Sequence, residues 1–163
     1  MNSPRISAIA LDIGKKRIGV AGCDGLGLAA TGLVTIDRKS LDYVIQELTD
    51  IVRHRNPTVL VVGFPLNMDG SVGPQAKQTV RMAEILSKAV GLPVEYVDER
   101  LSSIEAEDLI KAENLSPSQN KGLIDRKAAA LILERWLSGN DRVDGKILLL
   151  ENGSKTAVPI DPN

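Results

Sequence analysis

Asp12 places a carboxylate inside a segment that otherwise has the composition of a buried strand. The residues from Ile6 to Ile13 are mostly aliphatic on both alternating faces, which is typical of a central strand covered on both sides. An ionised, unpaired carboxylate there would cost roughly several kcal/mol, so it requires a donor, a cation or a metal ion. Two interpretations stay open: Asp12 bonds turn amides where the strand ends at Gly14, or it is a metal ligand.

Glu99 and Asp125 are two further acids whose positions favour a metal site. Glu99 follows a strand predicted over residues 94–97, and Asp125 begins the apolar face of a helix predicted over about 125–137. Each also has a purely structural interpretation, because Glu99 suits a surface salt bridge and Asp125 suits the first turn of a helix. Ligands of open α/β sheets collect where central strands end, so we expect the three acids to converge.

Three carboxylates in one cleft repel one another unless a divalent cation neutralises them. Oxygen-only ligands indicate magnesium or manganese rather than zinc. Such a cluster supports phosphodiester cleavage by two metal ions that lie about 3.5–4 Å apart and flank the scissile phosphate. The acids therefore predict a metal-dependent hydrolase with Asp12 bridging both ions and with Glu99 and Asp125 each holding one.

Composition indicates one domain with an aliphatic core. The chain has 163 residues, of which 43% are hydrophobic and only 2% aromatic, so base stacking on an aromatic platform is not expected. The single cysteine, Cys23, excludes an intramolecular disulfide and a thiolate metal site. No apolar run approaches the roughly 20 residues of a membrane span, and the N-terminus lacks the layout of a signal peptide, which predicts a cytoplasmic protein. A net charge of −1 leaves nucleic-acid binding to local basic clusters.

The order of predicted elements indicates a mixed α/β sheet. The first third of the chain contains three β-prone runs joined by short turns, which predict an antiparallel meander. Helix, strand, helix and strand then alternate over residues 41–97, and further helices follow, so we expect helices on both faces of the sheet. We assign residues 1–138 to this domain. Residues 139–163 form a tail that adds an edge strand, caps a partner or is simply flexible.

Basic side chains next to the acids are predicted to hold a phosphate backbone. Lys15, Lys16 and Arg17 follow Asp12 directly, although Arg17 could instead pair with Asp12 or another acid. A polar stretch over residues 114–122 is either a connector or a clamp that orders on substrate. The other predicted nucleic-acid contacts are Asn67, Arg100, Lys121, Arg126 and Lys127.

Four motifs together resemble the YqgF/RuvX family. In chain order they are Leu11-Asp12-Ile13-Gly14 with Arg17-Ile18-Gly19-Val20-Ala21, then Val62-Gly63-Phe64-Pro65-Leu66-Asn67-Met68-Asp69-Gly70, then Asp98-Glu99-Arg100-Leu101-Ser102, and Asp125 with Ala128-Ala129 and Ile132-Leu133. The resemblance covers about residues 5 to 138. It implies the RNase H-like fold, with a mixed five-stranded sheet, and a cytoplasmic nuclease that matures the 5′ end of pre-16S rRNA.

The resemblance also implies which residues act. Asp12, Glu99 and Asp125 match the acidic positions of the family and are expected to be catalytic and to bind two Mg²⁺ or Mn²⁺ ions. Other RNase H-like nucleases have an acid at the end of the fourth strand, where this chain has Phe64-Pro65. The second ligand must then come from Glu99 or, as an alternative, Asp98.

Two alternative functions stay open. Relatives have been proposed as Holliday junction resolvases, which would make branched DNA in recombination and repair the substrate instead of a pre-ribosomal RNA. Junction resolution needs two sites and favours a homodimer, whereas an RNA nuclease could be a monomer. The other alternative is a nucleic-acid-binding module that keeps the fold without catalysis. Stabilisation by magnesium would distinguish an enzyme from such a module.

Overall fold

A central sheet of six strands organises the molecule. The computed structural model describes residues 7–23, 25, 29–100, 102–139 and 142–143. The strands are β1 (Ala8–Ile13), β2 (Arg17–Cys23), β3 (Ala30–Asp37), β4 (Val59–Phe64), β5 (Val94–Asp98) and β6 (Arg142–Val143). Their order is β3-β2-β1-β4-β5-β6, with β1, β4 and β5 parallel and the remaining neighbours antiparallel. The predicted meander and the predicted mixed α/β sheet are confirmed.

In the described part of the chain, four α-helices flank the sheet: α1 (Leu41–Arg55), α2 (Pro74–Val90), α3 (Ser102–Ala112) and α4 (Lys121–Ser138). Local signals set the ends of α1, because the Ser40 hydroxyl accepts a bond from Tyr43 N and Asn56 adopts the left-handed conformation at φ 48°. Helix α2 begins at Pro74 and ends at Gly91, which has φ 72°. The sequence itself carries the signals for these ends, in Ser40, Asn56-Pro57, Pro74 and Gly91.

The two faces of the sheet carry different cores. Large side chains of β1, including Ile9 and Leu11, pack under α1 and α2 together with Phe64 and Tyr96. Small side chains, such as Ala8 and Ala10, lie on the opposite face beneath α4. Successive residues of a strand point to opposite faces, so Asp12 belongs to the face that α4 covers.

Glycines on the face beneath α4 let this helix lie directly on the strands. A Cβ at Gly19 would overlap the backbone of Asp125, and a Cβ at Gly32 would lie 2.9 Å from Arg126 Cβ. Helix α3 then packs against the outside of α4. The close approach fixes the position of α4, and with it Asp125, relative to the end of β1.

Two boundaries differ from the sequence prediction. Helix α4 begins at Lys121, one turn before the predicted start, and a 3₁₀ turn covers Pro117–Gln119 within the predicted loop. A residue of β3 stabilises this additional first turn of α4: Thr35 Oγ1 donates to Gly122 O at 2.6 Å. In the tail, Arg142–Val143 pairs with β5 as an edge strand, while the apolar residues 147–150 lie outside the described residues.

Candidate active site

Asp12 and Glu99 meet on the face of the sheet that α4 covers. Asp12 is the fifth residue of β1, and Glu99 directly follows β5, with Glu99 N donating to Phe64 O at 3.2 Å. The two carboxyl groups hydrogen-bond to each other across β4. Gly63 of β4 makes the space for this contact, because a Cβ there would lie 2.7 Å from Glu99 Oε2.

Burial and mutual repulsion keep this pair from ionising fully. Desolvation raises the pKa of Asp12 from 3.8 to about 6; the bond from Glu99 opposes this rise, and the charge of Asp125 adds to it. Desolvation and the nearby Asp12 likewise raise the pKa of Glu99 well above 4.5, against a smaller opposing effect of Arg135. The two carboxyls therefore share a proton near neutral pH, which is how close acids in an apolar setting behave when no cation is present.

Asp125 lies close to this pair but is engaged by Arg17. It is the fifth residue of α4 and not a first-turn acid, so the simple helix-end interpretation does not apply. Arg17 Nε donates to Asp125 Oδ2 at 2.7 Å, with 30% and 20% of the two side chains exposed. Arg17 thus pairs with an acid, as the alternative prediction allowed, but its partner is neither Asp12 nor a neighbour in the sequence. The pair ties the start of β2 to α4.

Asp98 and Glu99 point to different sides of the chain and have different partners. Arg100 donates to Asp98 from its backbone N at 2.9 Å and from Nη2 at 2.7 Å, and its Nε contacts both carboxylate oxygens. Asp98 is therefore occupied by an intramolecular ion pair, whereas Glu99 faces Asp12. This arrangement favours Glu99 over Asp98 as the acid that acts with Asp12.

Arg135 of α4 supports the segment that carries Glu99, a role that the sequence analysis does not assign. Its Nη1 donates to Asp98 O at 2.9 Å and to Arg100 O at 3.3 Å, and its Nη2 pairs with Glu105 of α3 at 2.8 Å. Its charge also favours ionisation of Glu99. In the sequence Arg135 has the appearance of an ordinary cation in the last turn of a helix, so nothing distinguishes it.

The donor set of this site suits a hard divalent cation. All three acids offer oxygen, and a bound cation would relieve the repulsion that raises the pKa of Asp12 and Glu99. Within the described ranges, no group of three or more His, Cys, Asp or Glu side chains is already arranged to hold a metal ion. In this arrangement Arg17 engages the Asp125 carboxylate, which a cation would need.

The predicted nucleic-acid contacts fall into two groups. Lys15, Lys16, Lys121 and Asn67 are exposed, although the Asn67 amide also donates to Ser71 Oγ within its own turn. The others have intramolecular partners: Arg17 with Asp125, Arg100 with Asp98, Arg126 with Thr35 Oγ1 at 3.2 Å, and Lys127 with Glu113 at 3.5 Å. The exposed lysines are therefore the side chains most available to phosphate.

The molecule combines the parallel strands β1, β4 and β5, the antiparallel strands β2 and β3, and a half-buried acid pair at the strand ends. These features define an RNase H-like α/β protein. A family model described as RuvX, Holliday junction resolvase, matches residues 6–139. The chain belongs to the RuvX family, a family of nucleases. This confirms the resemblance to the YqgF/RuvX family.

Curated relatives are similar over most of their length. A protein of Trichormus variabilis named "Putative pre-16S rRNA nuclease" is 60% identical over 132 residues, which are 81% of this chain and 87% of that protein. A protein of the same name from Synechococcus elongatus is 56% identical over 134 residues, covering 82% and 90% of the two chains.

Solved structures confirm the fold. The structure of T. thermophilus RuvC in complex with a Holliday junction substrate aligns with 85% of this chain and 99% of RuvC, at a TM-score of 0.53 and 11% identity. A second Thermus thermophilus RuvC structure gives a TM-score of 0.50 at 12% identity, over 85% of this chain and 100% of RuvC. Across the part of the chain that is described, no helix is long and apolar enough to span a membrane.

Proposed function

We propose that this protein is a metal-dependent nuclease that cleaves structured RNA and processes the 5′ end of pre-16S rRNA. The observation that carries the proposal is the half-buried, hydrogen-bonded Asp12–Glu99 pair at the ends of β1 and β5, in a member of a nuclease family. Two acids that share a proton at the carboxyl ends of strands, where ligands of α/β sheets bind, form a site that gains stability from a cation.

Asp12, Glu99 and Asp125 are the residues that would hold magnesium or manganese, as a two-metal site. When bound, such ions stabilise charge on the scissile phosphate and lower the pKa of an attacking water. The protein contributes orientation: Arg17 holds the carboxylate of Asp125, and Arg135 holds the segment that carries Glu99. Supporting contacts of this kind fix the direction of ligands and are needed for full activity.

Exposed lysines beside the acids would position the phosphate backbone. Lys16 precedes Arg17 in the turn after β1, and Lys121 begins α4 one turn before Asp125. Contacts of this type carry no sequence information. Selection of the substrate would then depend on its shape, as expected for processing at a defined place in a folded precursor.

The names of the relatives support RNA as the substrate, and a ribosomal precursor would place the reaction in the cytoplasm. The second candidate is resolution of a four-way DNA junction, which the description of the family model favours. The likeness to RuvC bears on the fold alone. A junction resolvase requires two sites and hence a homodimer, whereas RNA processing is compatible with a monomer.

A side-by-side cleavage assay tests the proposal. Purified protein is incubated with a precursor rRNA 5′ fragment and with a synthetic four-way junction, with magnesium, with manganese or with a chelator. Asp12→Asn serves as the blank for contaminating nucleases, and Asp50→Asn, an exposed acid of α1, is the matched control. We expect metal-dependent cleavage of the RNA by the wild type and by Asp50→Asn only. Preferential cleavage of the junction would select the second candidate.

Absence of cleavage on both substrates would be informative when combined with metal titration. A binding module with the same fold should show no increase in melting temperature with magnesium, whereas a metal-binding enzyme should be stabilised. No cleavage together with no stabilisation in the wild type would make the protein a nucleic-acid-binding module.

A further inference from the structure

A cleft of about 220 Å³ lies between the turn that follows β1 and helix α2. It opens on the face of the sheet opposite to Asp12, since Ile13 lines it and successive residues of a strand alternate. Arg38 holds the turn that forms one wall: its backbone N donates to Lys16 O at 2.9 Å, and its Nη1 donates to Gly14 O at 2.6 Å. The wall is therefore fixed by hydrogen bonds.

Three cations surround this cleft: Lys15, Arg38 and Arg81. Among the described residues that line it, none is acidic. None of the ion pairs found in the described part of the chain involves any of the three. Cations that converge on a concave site without acidic partners attract an anion. The substrate of a nuclease carries one phosphate group per nucleotide, so we take phosphate as that anion.

The remainder of the lining would suit a flat, partly apolar group and not an anion alone. The side chains of Ile13, Met82 and Ile85 form an apolar floor, and the amides of Gln75 and Gln78 stand on exposed positions of α2. A thioether makes favourable contacts with an aromatic ring, and an amide can both donate to and accept from the edge of a base. The volume is below the roughly 300–1,000 Å³ of typical ligand pockets, so it suits one nucleotide and not a helical stem.

We propose that this cleft binds one unpaired nucleotide of the RNA strand whose phosphate lies at the Asp12–Glu99 pair. The proposal rests on the proposed nuclease function and specifies its substrate class: a strand with an unpaired segment next to the scissile bond. Asp12 and Ile13 are neighbours on β1 and point to opposite faces, so a strand that passes over the end of β1 reaches both sites. Lys15, in the turn that follows β1, lines the cleft on this path.

Charge reversal on α2 tests the cleft without touching the acids. Affinities are measured by fluorescence anisotropy, with a chelator present, for an RNA hairpin with a short single-stranded extension and for the same hairpin with a blunt end. Arg81→Glu should lower the affinity for the extended hairpin about tenfold more than for the blunt one, the size of one charge-assisted contact. Lys88→Glu, the same reversal at an exposed residue of α2 outside the cleft, should retain the preference for the extension.

Protection of an introduced thiol locates the nucleotide. Cys23 is buried, so alkylation of Gln78→Cys can be followed against a slow background. The extended hairpin should slow this alkylation severalfold, while the blunt hairpin and a free nucleoside monophosphate should not. Lys88→Cys is the control and should be alkylated equally fast with every RNA.

The outcomes separate the cleft from the nuclease proposal. Equal protection by the two hairpins, protection by the free nucleotide alone, or an unchanged preference in Arg81→Glu would overturn the cleft assignment. Cleavage by the wild type with any of these results leaves the nuclease proposal standing. Binding that depends on Arg81, with no metal-dependent cleavage of the precursor rRNA fragment or the junction and no stabilisation by magnesium, would instead overturn the nuclease function and keep the cleft as an RNA contact.

Discussion

The two faces of the sheet are built from the same strands but for different purposes. Under α1 and α2 the strands present large aliphatic residues, such as Leu11 and Val62, which pack into a continuous core with Leu48 of α1. Beneath α4 they present alanine, glycine, valine and Asp12, and Glu99 directly follows β5. This second core is small, with Val61 and Ile132 among its larger members.

The difference shows where this fold obtains stability and where it places charge. Burial of apolar area is the main stabilising contribution, and large side chains supply more of it. The α4 face supplies less, because its strand residues are small enough for the helix backbone to approach and for Asp12 and Glu99 to be enclosed. We therefore expect substitutions on the face under α1 and α2 to change stability, and substitutions on the α4 face to change activity.

The largest effect is expected for Asp12→Asn on the α4 face. Loss of the carboxylate should reduce the cleavage rate by at least about 10²–10³-fold, because a preorganised group that stabilises developing charge is removed. The fold should persist, since an amide keeps the shape and the hydrogen bond to Glu99. Single-turnover cleavage and circular dichroism check both parts. Normal metal-dependent turnover in this variant would contradict the assignment.

Leu48→Ala on the opposite face should have the reverse effect. Leu48 is 1% exposed in the large core, and its truncation should lower the free energy of unfolding by about 2–5 kcal/mol. Denaturant unfolding measures that loss, and single-turnover cleavage is then compared per folded molecule. A large decrease in that rate would mean that the two faces are coupled more strongly than their separate cores indicate.

The raised pKa of Asp12 predicts how the metal-free protein responds to pH. Because the native state holds a proton between the ordinary value of 3.8 and about 6, the free energy of unfolding should fall as pH rises through that window. The decrease should be at most about 3 kcal/mol. Asp12→Asn should remove the share of this dependence that Asp12 contributes and leave the share of Glu99, whose pKa burial also raises. Its melting temperature should therefore exceed that of the wild type most at pH 7–8.

Thermal unfolding in a chelator between pH 4 and 8 provides the measurement. Magnesium should reduce the difference at pH 8 by stabilising only the wild type. A difference between the two proteins that does not change with pH would mean that burial does not perturb Asp12.

Gly63→Ala tests the enclosure of the acids more gently. The added Cβ would lie 2.7 Å from Glu99 Oε2 and 2.5 Å from Ile132 Cδ1, so α4 or Glu99 must move, at a cost of about 1–3 kcal/mol. We expect cleavage to fall more than stability alone explains. Gly91→Ala at the end of α2, where the Cβ has open space but φ is 72°, is a control that affects stability only.

Local sequence signals predicted the elements on the α1 and α2 side of the sheet better than those on the α4 side. Ser40, Pro74 and Gly91 mark helix ends through their own backbone preferences, and the aliphatic strands are evident from composition. The start of α4 could not be predicted in this way, because Thr35 holds Gly122 from a different strand. The strand β6 is only two residues long and is defined by pairing with β5, which no local pattern encodes.

The candidate site was predicted from the contrast between an acid and its aliphatic neighbours in the sequence, and not from the spatial arrangement of its residues. Asp12 was recognisable because it interrupts an aliphatic run, and glycines within the buried strands, such as Gly19 and Gly63, were an available signal of close approach that remained unused. The choice between Glu99 and Asp98 depends on Arg100, and the partner of Arg17 lies 108 positions away. The Arg17 contact follows from the tertiary fold and could not be read from spacing, whereas Arg100 pairs with Asp98 only two positions away.

The smallest effect is expected from the exposed lysines. Lys16→Ala with Lys121→Ala should weaken RNA binding modestly and reduce the salt slope by about one for each charge removed. Removing two exposed cations under the other face, with Arg53→Ala and Lys88→Ala, is the matched control and should leave the slope nearly unchanged. Affinities over a salt series give the result. Equal slopes for the two double variants would mean that phosphate is not held preferentially on the α4 side, and would leave the acids without the backbone contacts assigned to them.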